Sequence, residues 1–270
     1  MTLRRRLMIF AAACCSLATP TSAKPDGKAE FRQMRAGEAQ QLRSDRAYLL
    51  LRLDTTVAKL SADLLRVPTT AELSAYEAAR AAAYAKKGKK AAPVDMFVFD
   101  YQGRPNLFEL SAGKAVASEG KTVLAMAEVT PGEYVLYGIG YSGFLYECLC
   151  LGTVGFTAEA GLVTDLGTMI FDSAAKPSAH PELVGEVDLG PSASMDYKLF
   201  AVALRPKRPG DILPPSIDAA RLRPANLHAV GPYPEAGTTL INRLAPIPGV
   251  LAYEEGRVID VSSGREAPPR

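Results

Sequence analysis

Tryptophan is missing from this 270-residue chain, and histidine occurs only twice, at His180 and His228. Two histidines leave no imidazole-rich metal centre, and they confine the base of any serine hydrolase to positions far along the chain. Cysteine is scarce as well, at four residues, so this is not a disulfide-dense scaffold; a chain of this length can hold itself together by its core. Neither charge sign dominates: 31 basic residues face 29 acidic ones, which provides no overall field for nucleic acid or an anionic membrane. Beyond the N-terminus no apolar run of about 18 residues is long enough to span a bilayer. EF-hand, P-loop and H-E-x-x-H patterns are all missing, and no cofactor is expected.

What is present begins with an address. Arg4, Arg5 and Arg6 precede an apolar run from Leu7 to Ala18, and Thr21-Ser22-Ala23 places small residues where signal peptidase needs them. The expected mature chain starts at Lys24, in the periplasm or outside the cell. Two alternatives use the same residues. Lipidation at Cys14 is suggested by Ala11-Ala12-Ala13-Cys14, although the usual leucine three positions earlier is missing. Retention as an anchor asks for about 20 apolar residues, and this run has about 12. Loss of residues 1–23 takes the bases from 31 to 28 against 29 acids, a net charge of −1, and leaves Cys148 and Cys150 as the last cysteines.

Residues 24–45 are polar and without period, which predicts a loosely held leader. Arg46 to Asp54 (RAYLLLRLD) predicts a buried strand, with a helix as the competing reading. Thr69-x-x-Glu72 forms a capping box ahead of an Ala-, Glu- and Arg-rich run that ends at Gly88, so a helical insertion is expected over 69–88. Lys86, Lys87, Lys89 and Lys90 could meet a polyanion; the simpler reading is that lysines suit a helix's negative end and keep a loop solvated.

From Val94 to Ile170 the pattern is β. Val94 to Tyr101 sets Phe97, Phe99 and Tyr101 on one face and Met96 and Val98 on the other. Strands are then expected at 121–129, 134–141, 144–150, 153–158 and 162–170, with turn residues between them, which indicates an antiparallel β-sandwich over 46–174. Between Pro206 and Pro269 lie 11 of the 20 prolines, so residues 175–270 read as a Pro-rich segment packed across the sandwich, or as a separate small domain. Within it Met195 to Leu204 predicts one strand, and 250–261 a terminal hairpin with a three-residue connection, Glu254-Glu255-Gly256.

Candidate chemistry is thin. Gly138-Ile139-Gly140-Tyr141-Ser142-Gly143 matches G-x-G-x-x-G, but strand-forming residues follow where a helix is needed, so a β-bulge or turn explains the glycines better. Ser142 lacks the second glycine of a nucleophile elbow, since Phe144 stands there. Cys148-Leu149-Cys150 is open to three readings: a redox disulfide, a metal pair, or two small buried side chains. In a strand, i and i+2 lie about 6.6 Å apart, whereas a disulfide needs Cβ atoms at about 3.8 Å, so the inert reading fits best. The acids Asp100, Glu109, Glu128, Glu133, Glu147, Glu159, Asp165 and Asp172 are scattered, and no pair stands out as a glycosidase site. In the aromatic cluster 134–146, Tyr137, Tyr141 and Tyr146 could stack on a sugar; core filling is the plainer role.

The runs TPGEYVLYGIGYSG (130–143) and GTVGFTAEAGLVTDLGTM (152–169) resemble prealbumin-like and carboxypeptidase-regulatory-like β-sandwich modules of bacterial exported envelope proteins. The resemblance implies a tight turn at Pro131-Gly132, an inward Tyr134, and a turn at Gly161 before a last strand, 162–166. It implies an envelope setting and carries no catalytic residues. The expectation is an exported, non-enzymatic envelope protein that binds another protein or cell-wall polysaccharide. A carbohydrate-binding module is the alternative, and a periplasmic redox or metal protein using Cys148 and Cys150 a more distant one.

Overall fold

The computed structural model describes residues 30–38, 42–55, 60–88, 93–99, 106–141, 149–150, 152–173, 180–183, 200–215, 217–231, 244–255 and 257–268. In chain order, β1 (Phe31–Gln33), β2 (Ala47–Thr55) and β3 (Leu60–Arg66) precede a helix, α1 (Thr70–Lys87). Next come β4 (Leu107–Ser111), β5 (Ala117–Glu119), β6 (Thr122–Val129), β7 (Gly132–Tyr141), β8 (Leu149–Cys150), β9 (Val154–Ala158) and β10 (Val163–Ser173). The C-terminal part adds β11 (Phe200–Arg205), β12 (Leu222–Pro224), β13 (His228–Ala229), β14 (Leu251–Glu254), β15 (Arg257–Asp260) and β16 (Arg265–Glu266).

These strands form a mainly β sandwich with one helical insertion. One sheet runs β1-β6-β2-β10-β11, with β5 on β6 and β12 on β10; the facing sheet runs β13-β9-β7-β3-β4, with β8 on β7. β14-β15-β16 make a small third sheet. The strand pairs are antiparallel except for β10 with β2 and with β12, which are parallel; β10 pairs antiparallel with β11.

β2 explains how the layers fill. Leu49, Leu51 and Leu53 point at the facing sheet and join Leu60, Leu64, Leu136, Phe156 and Phe171 in the inter-sheet core. Tyr48 and Leu50 point the other way, into a second apolar layer with Met34, Leu124, Met126 and Val163. Ile212, Ile217 and Leu222 from the Pro-rich segment pack on that layer. A strand buried on both faces needs apolar residues at successive positions, which is why RAYLLLRLD shows no clean alternation.

Arg52 lies on the same outward face and is buried there. It makes a two-point ion pair with Asp165 at 2.6 and 3.0 Å, and its Nε donates to the Ile212 carbonyl at 2.8 Å. Asp165 sits at a register shift in β10 and also accepts the Gly167 N–H at 3.0 Å. Gly167 has φ +93°, and a Cβ there would lie 2.1 Å from the Arg205 carbonyl oxygen, so only glycine fits this bulge.

Several expectations change. The leader is held against the sheets over its described residues 30–38: Phe31 stacks on Phe108 at 5.1 Å, β1 pairs with β6, and Met34 is fully buried. Three residues are too short a strand to show a period. Residues 94–99, expected as a sandwich strand, belong to neither sheet. In the terminal hairpin Glu254 pairs with Arg257, so the connection is two residues and not three, with Glu255 left-handed at φ +47°. Gly256 lies outside the described residues.

Candidate functional site

α1 begins as the sequence predicts. Thr69 Oγ1 accepts the Glu72 N–H at 3.2 Å, and a Glu72 carboxylate oxygen accepts the Thr69 N–H at 2.8 Å, a complete capping box. Arg66, the last residue of β3, donates to both Glu72 oxygens at 2.7 and 3.1 Å. The guanidinium, with the Thr69 donors, holds the Glu72 carboxyl far below the ordinary range, at about 2. Gly88 closes the helix, with Lys86 and Lys87 in the last turn against the negative end of the dipole.

None of the 18 residues of α1 is buried. Its half-buried positions, Glu72, Tyr76, Ala79, Arg80, Ala83 and Tyr84, share one face at three- and four-residue spacing. Residues 93–99 return along that face as a strap. Phe97 meets Tyr84 edge-on at 5.1 Å, Phe99 lies 5.9 Å from Tyr76, and Arg80 donates to the Val94 carbonyl at 2.6 Å. The two-residue alternation of VDMFVF (94–99) is therefore used against a helix, not within a sheet. Its other side faces water: Val94, Met96 and Val98 are 56, 68 and 90% exposed. Three large apolar side chains this exposed within five residues mark a surface that gains by being covered.

The sandwich offers a second cluster. On the outward face of the second sheet, Glu109 of β4, Asp63 of β3, Gly138 of β7 and Cys150 of β8 occupy one cross-strand row. Burial, with the Glu109 carboxylate directly opposite, pushes the Asp63 carboxyl up to about 6. Next to this row the pairing jumps from Leu64–Leu136 to Asp63–Gly138, which leaves Tyr137 as the extra residue of a bulge. Gly138 and Gly140 thus lie inside β7, as the bulge reading of the glycine motif expects.

Of the three tyrosines considered for a sugar face, Tyr137 is half-buried in β7. Tyr141 pairs with Leu60 through its backbone, and its side chain lies outside the described residues, as do Ser142, Phe144, Tyr146 and Cys148. Cys150 is placed only through its backbone, opposite Gly138, and the relation of its thiol to that of Cys148 lies outside the described residues. Tyr134 faces the core: it stacks on Phe156 at 5.8 Å and donates to the Thr130 carbonyl at 2.7 Å. His228 packs over Gly155, where an added Cβ would lie 2.7 Å from its Nε2. No three His, Cys, Asp or Glu among the described residues form a metal-binding group.

Sequence reasoning missed Asp63. The signal was available: a carboxylate between Ala62 and Leu64, with leucines at 60, 64 and 65 of the same strand, LSADLLR. It also placed Val94, Met96 and Val98 in a sheet, so their exposure was not anticipated. Compared with family models, characterised proteins and solved structures, the chain matches none of them.

Proposed function

We propose that this protein is an exported, non-enzymatic component of a bacterial envelope, and that the α1 arm is the part it presents to its partner. The observation that carries this reading is a whole 18-residue helix with no buried residue, strapped by a segment whose Val94, Met96 and Val98 stand in water. A helix of this kind contributes little to the core, and its capping box, Arg66 clamp and aromatic strap are more than a passive connection between β3 and β4 needs. Export is supported by the basic, apolar and small-residue sequence of 1–23, with cleavage near Ala23, and by the resemblance to envelope sandwich modules. Lipidation at Cys14 would leave the same arm on a tethered protein.

Fractionation of the native host followed by intact-mass measurement tests the setting. A periplasmic or secreted species that starts at Lys24 is expected. A species that starts at Met1 in the cytosolic fraction would refute export.

A further inference from the structure

We propose that Gln33 is an autoinhibitory contact: its carboxamide occupies the outer edge of β4 and stops the chain from pairing there, strand to strand, with a second copy of itself. β4 is the last strand of the second sheet. The Arg66 N–H donates to the Asn106 carbonyl, and the Gln33 side chain bonds both backbone groups of Ser111. An antiparallel strand turns successive residues to alternate sides. Residues 106, 108 and 110 therefore face β3, while Leu107, Glu109 and Ser111 aim their N–H and C=O groups outward. Among the described residues, Leu107 and Glu109 have no backbone partner on that side. Leu107 is also 51% exposed. Such an edge is a template for another strand.

Gln33 ends that template. Its Nε2 donates to the Ser111 carbonyl at 2.6 Å and its Oε1 accepts the Ser111 N–H at 3.1 Å. Those are the two bonds that a residue of a neighbouring strand would make. Nε2 also reaches the Lys114 carbonyl at 3.1 Å. Gln33 is fixed in turn by β1, which pairs with β6 of the other sheet and stacks Phe31 on Phe108. One short strand thus extends the first sheet with its backbone and closes the second with its side chains. A strand added along Leu107 and Glu109 would run on past Ser111, through the space of the carboxamide. A second copy fits the edge because β4 is complementary to itself when laid antiparallel about Phe108. Leu107 of one copy then lies opposite Glu109 of the other, and no like charges oppose each other.

Amide exchange and sedimentation velocity on the full exported protein test this. In the parent, the Ser111 amide should be protected although it faces away from β3, and the Leu107 and Glu109 amides should exchange about tenfold faster. Q33A should release the Ser111 amide to the same fast rate. It should also dimerise more strongly than the parent as concentration rises. Q33A/L107E should return to the parent's sedimentation, because the added carboxylate would lie opposite Glu109 of the other copy. Should Q33A fail to fold, Q33E takes its place: a carboxylate cannot donate to the Ser111 and Lys114 carbonyls, so the same dimer is expected. A parent Ser111 amide that exchanges as fast as Glu109 overturns the contact. Sedimentation unchanged in Q33A and Q33E, or a dimer that persists in Q33A/L107E, overturns the assignment of the edge.

Discussion

Arg66 and Glu72 meet in a two-point ion pair, at 2.7 and 3.1 Å, across the junction where the sandwich ends and the helical arm begins. Glu72 also completes the capping box with Thr69, so one carboxylate both starts the helix and fixes it to β3. Arg66 is nearly inaccessible and also lies 3.5 Å from Glu30, which ties the same guanidinium to the folded N-terminal segment.

Glu72→Gln should therefore loosen the arm while sparing the sandwich. Glutamine can still accept the Thr69 N–H, so the loss is the charge and one of the two oxygens that accept from Arg66, worth about 1 kcal/mol at this half-exposed position. Amide exchange in α1 should accelerate several-fold, with β2 and β10 unchanged. Acid should do the same to the parent protein. The folded carboxyl titrates at about 2 against an ordinary 4.5, so its contribution is full above pH 4.5 and fades as pH falls through 2. The Gln variant should lack that acid step.

Asp63 should show the opposite sign. Its carboxyl is held at about 6, above the ordinary 3.8, so the folded state favours the protonated form. Its charge costs stability above pH 6, and that cost disappears as pH falls toward 4. Asp63→Asn should be more stable than the parent at pH 8 by about 2 kcal/mol, with the difference closing near pH 4. Urea melts at the two pH values measure it; an equal difference at both would contradict the assignment.

Asp165→Ala should be the most damaging single change to the sandwich. It leaves the Arg52 guanidinium buried without its countercharge and removes the acceptor for the Gly167 N–H. A loss of about 3–5 kcal/mol is expected in urea denaturation. Replacing both partners, R52M with D165L, should recover part of that loss, because the unpaired charge is gone.

Gly167→Ala tests the bulge separately. Positive φ and the Arg205 carbonyl in the space of a Cβ should force β10 and β11 apart. A loss above about 1 kcal/mol is expected from conformation alone. Alanine tolerated without cost in a thermal melt would mean the bulge is not held as described.

Local chemistry carried much of the fold into the sequence. The Thr69–Glu72 box placed α1 to within a residue, and β6, β7, β9 and β10 lie where turn residues and apolar runs set them. Long-range partnership was not legible. Period two in 94–99 says only that alternate residues differ, and it serves a strap on a helix as well as a strand in a sheet. The parallel pairing of β2 with β10 and the meeting of Arg52 with Asp165 join positions more than a hundred residues apart, with no local mark of either. Asp63 could have been noticed as a carboxylate in a leucine-rich strand; its raised titration depends on Glu109 across the β3–β4 pair, which spacing does not disclose.

The central claim is that the arm, not the sandwich surface, is where this protein meets its partner. A photo-crosslinking residue installed at Val98 in living cells tests it most directly, with the same residue at Val261, another exposed apolar position, as the comparison. Adducts with an envelope component at position 98, and few or none at 261, are predicted. Equal adducts at both sites, or none at 98, would contradict the account.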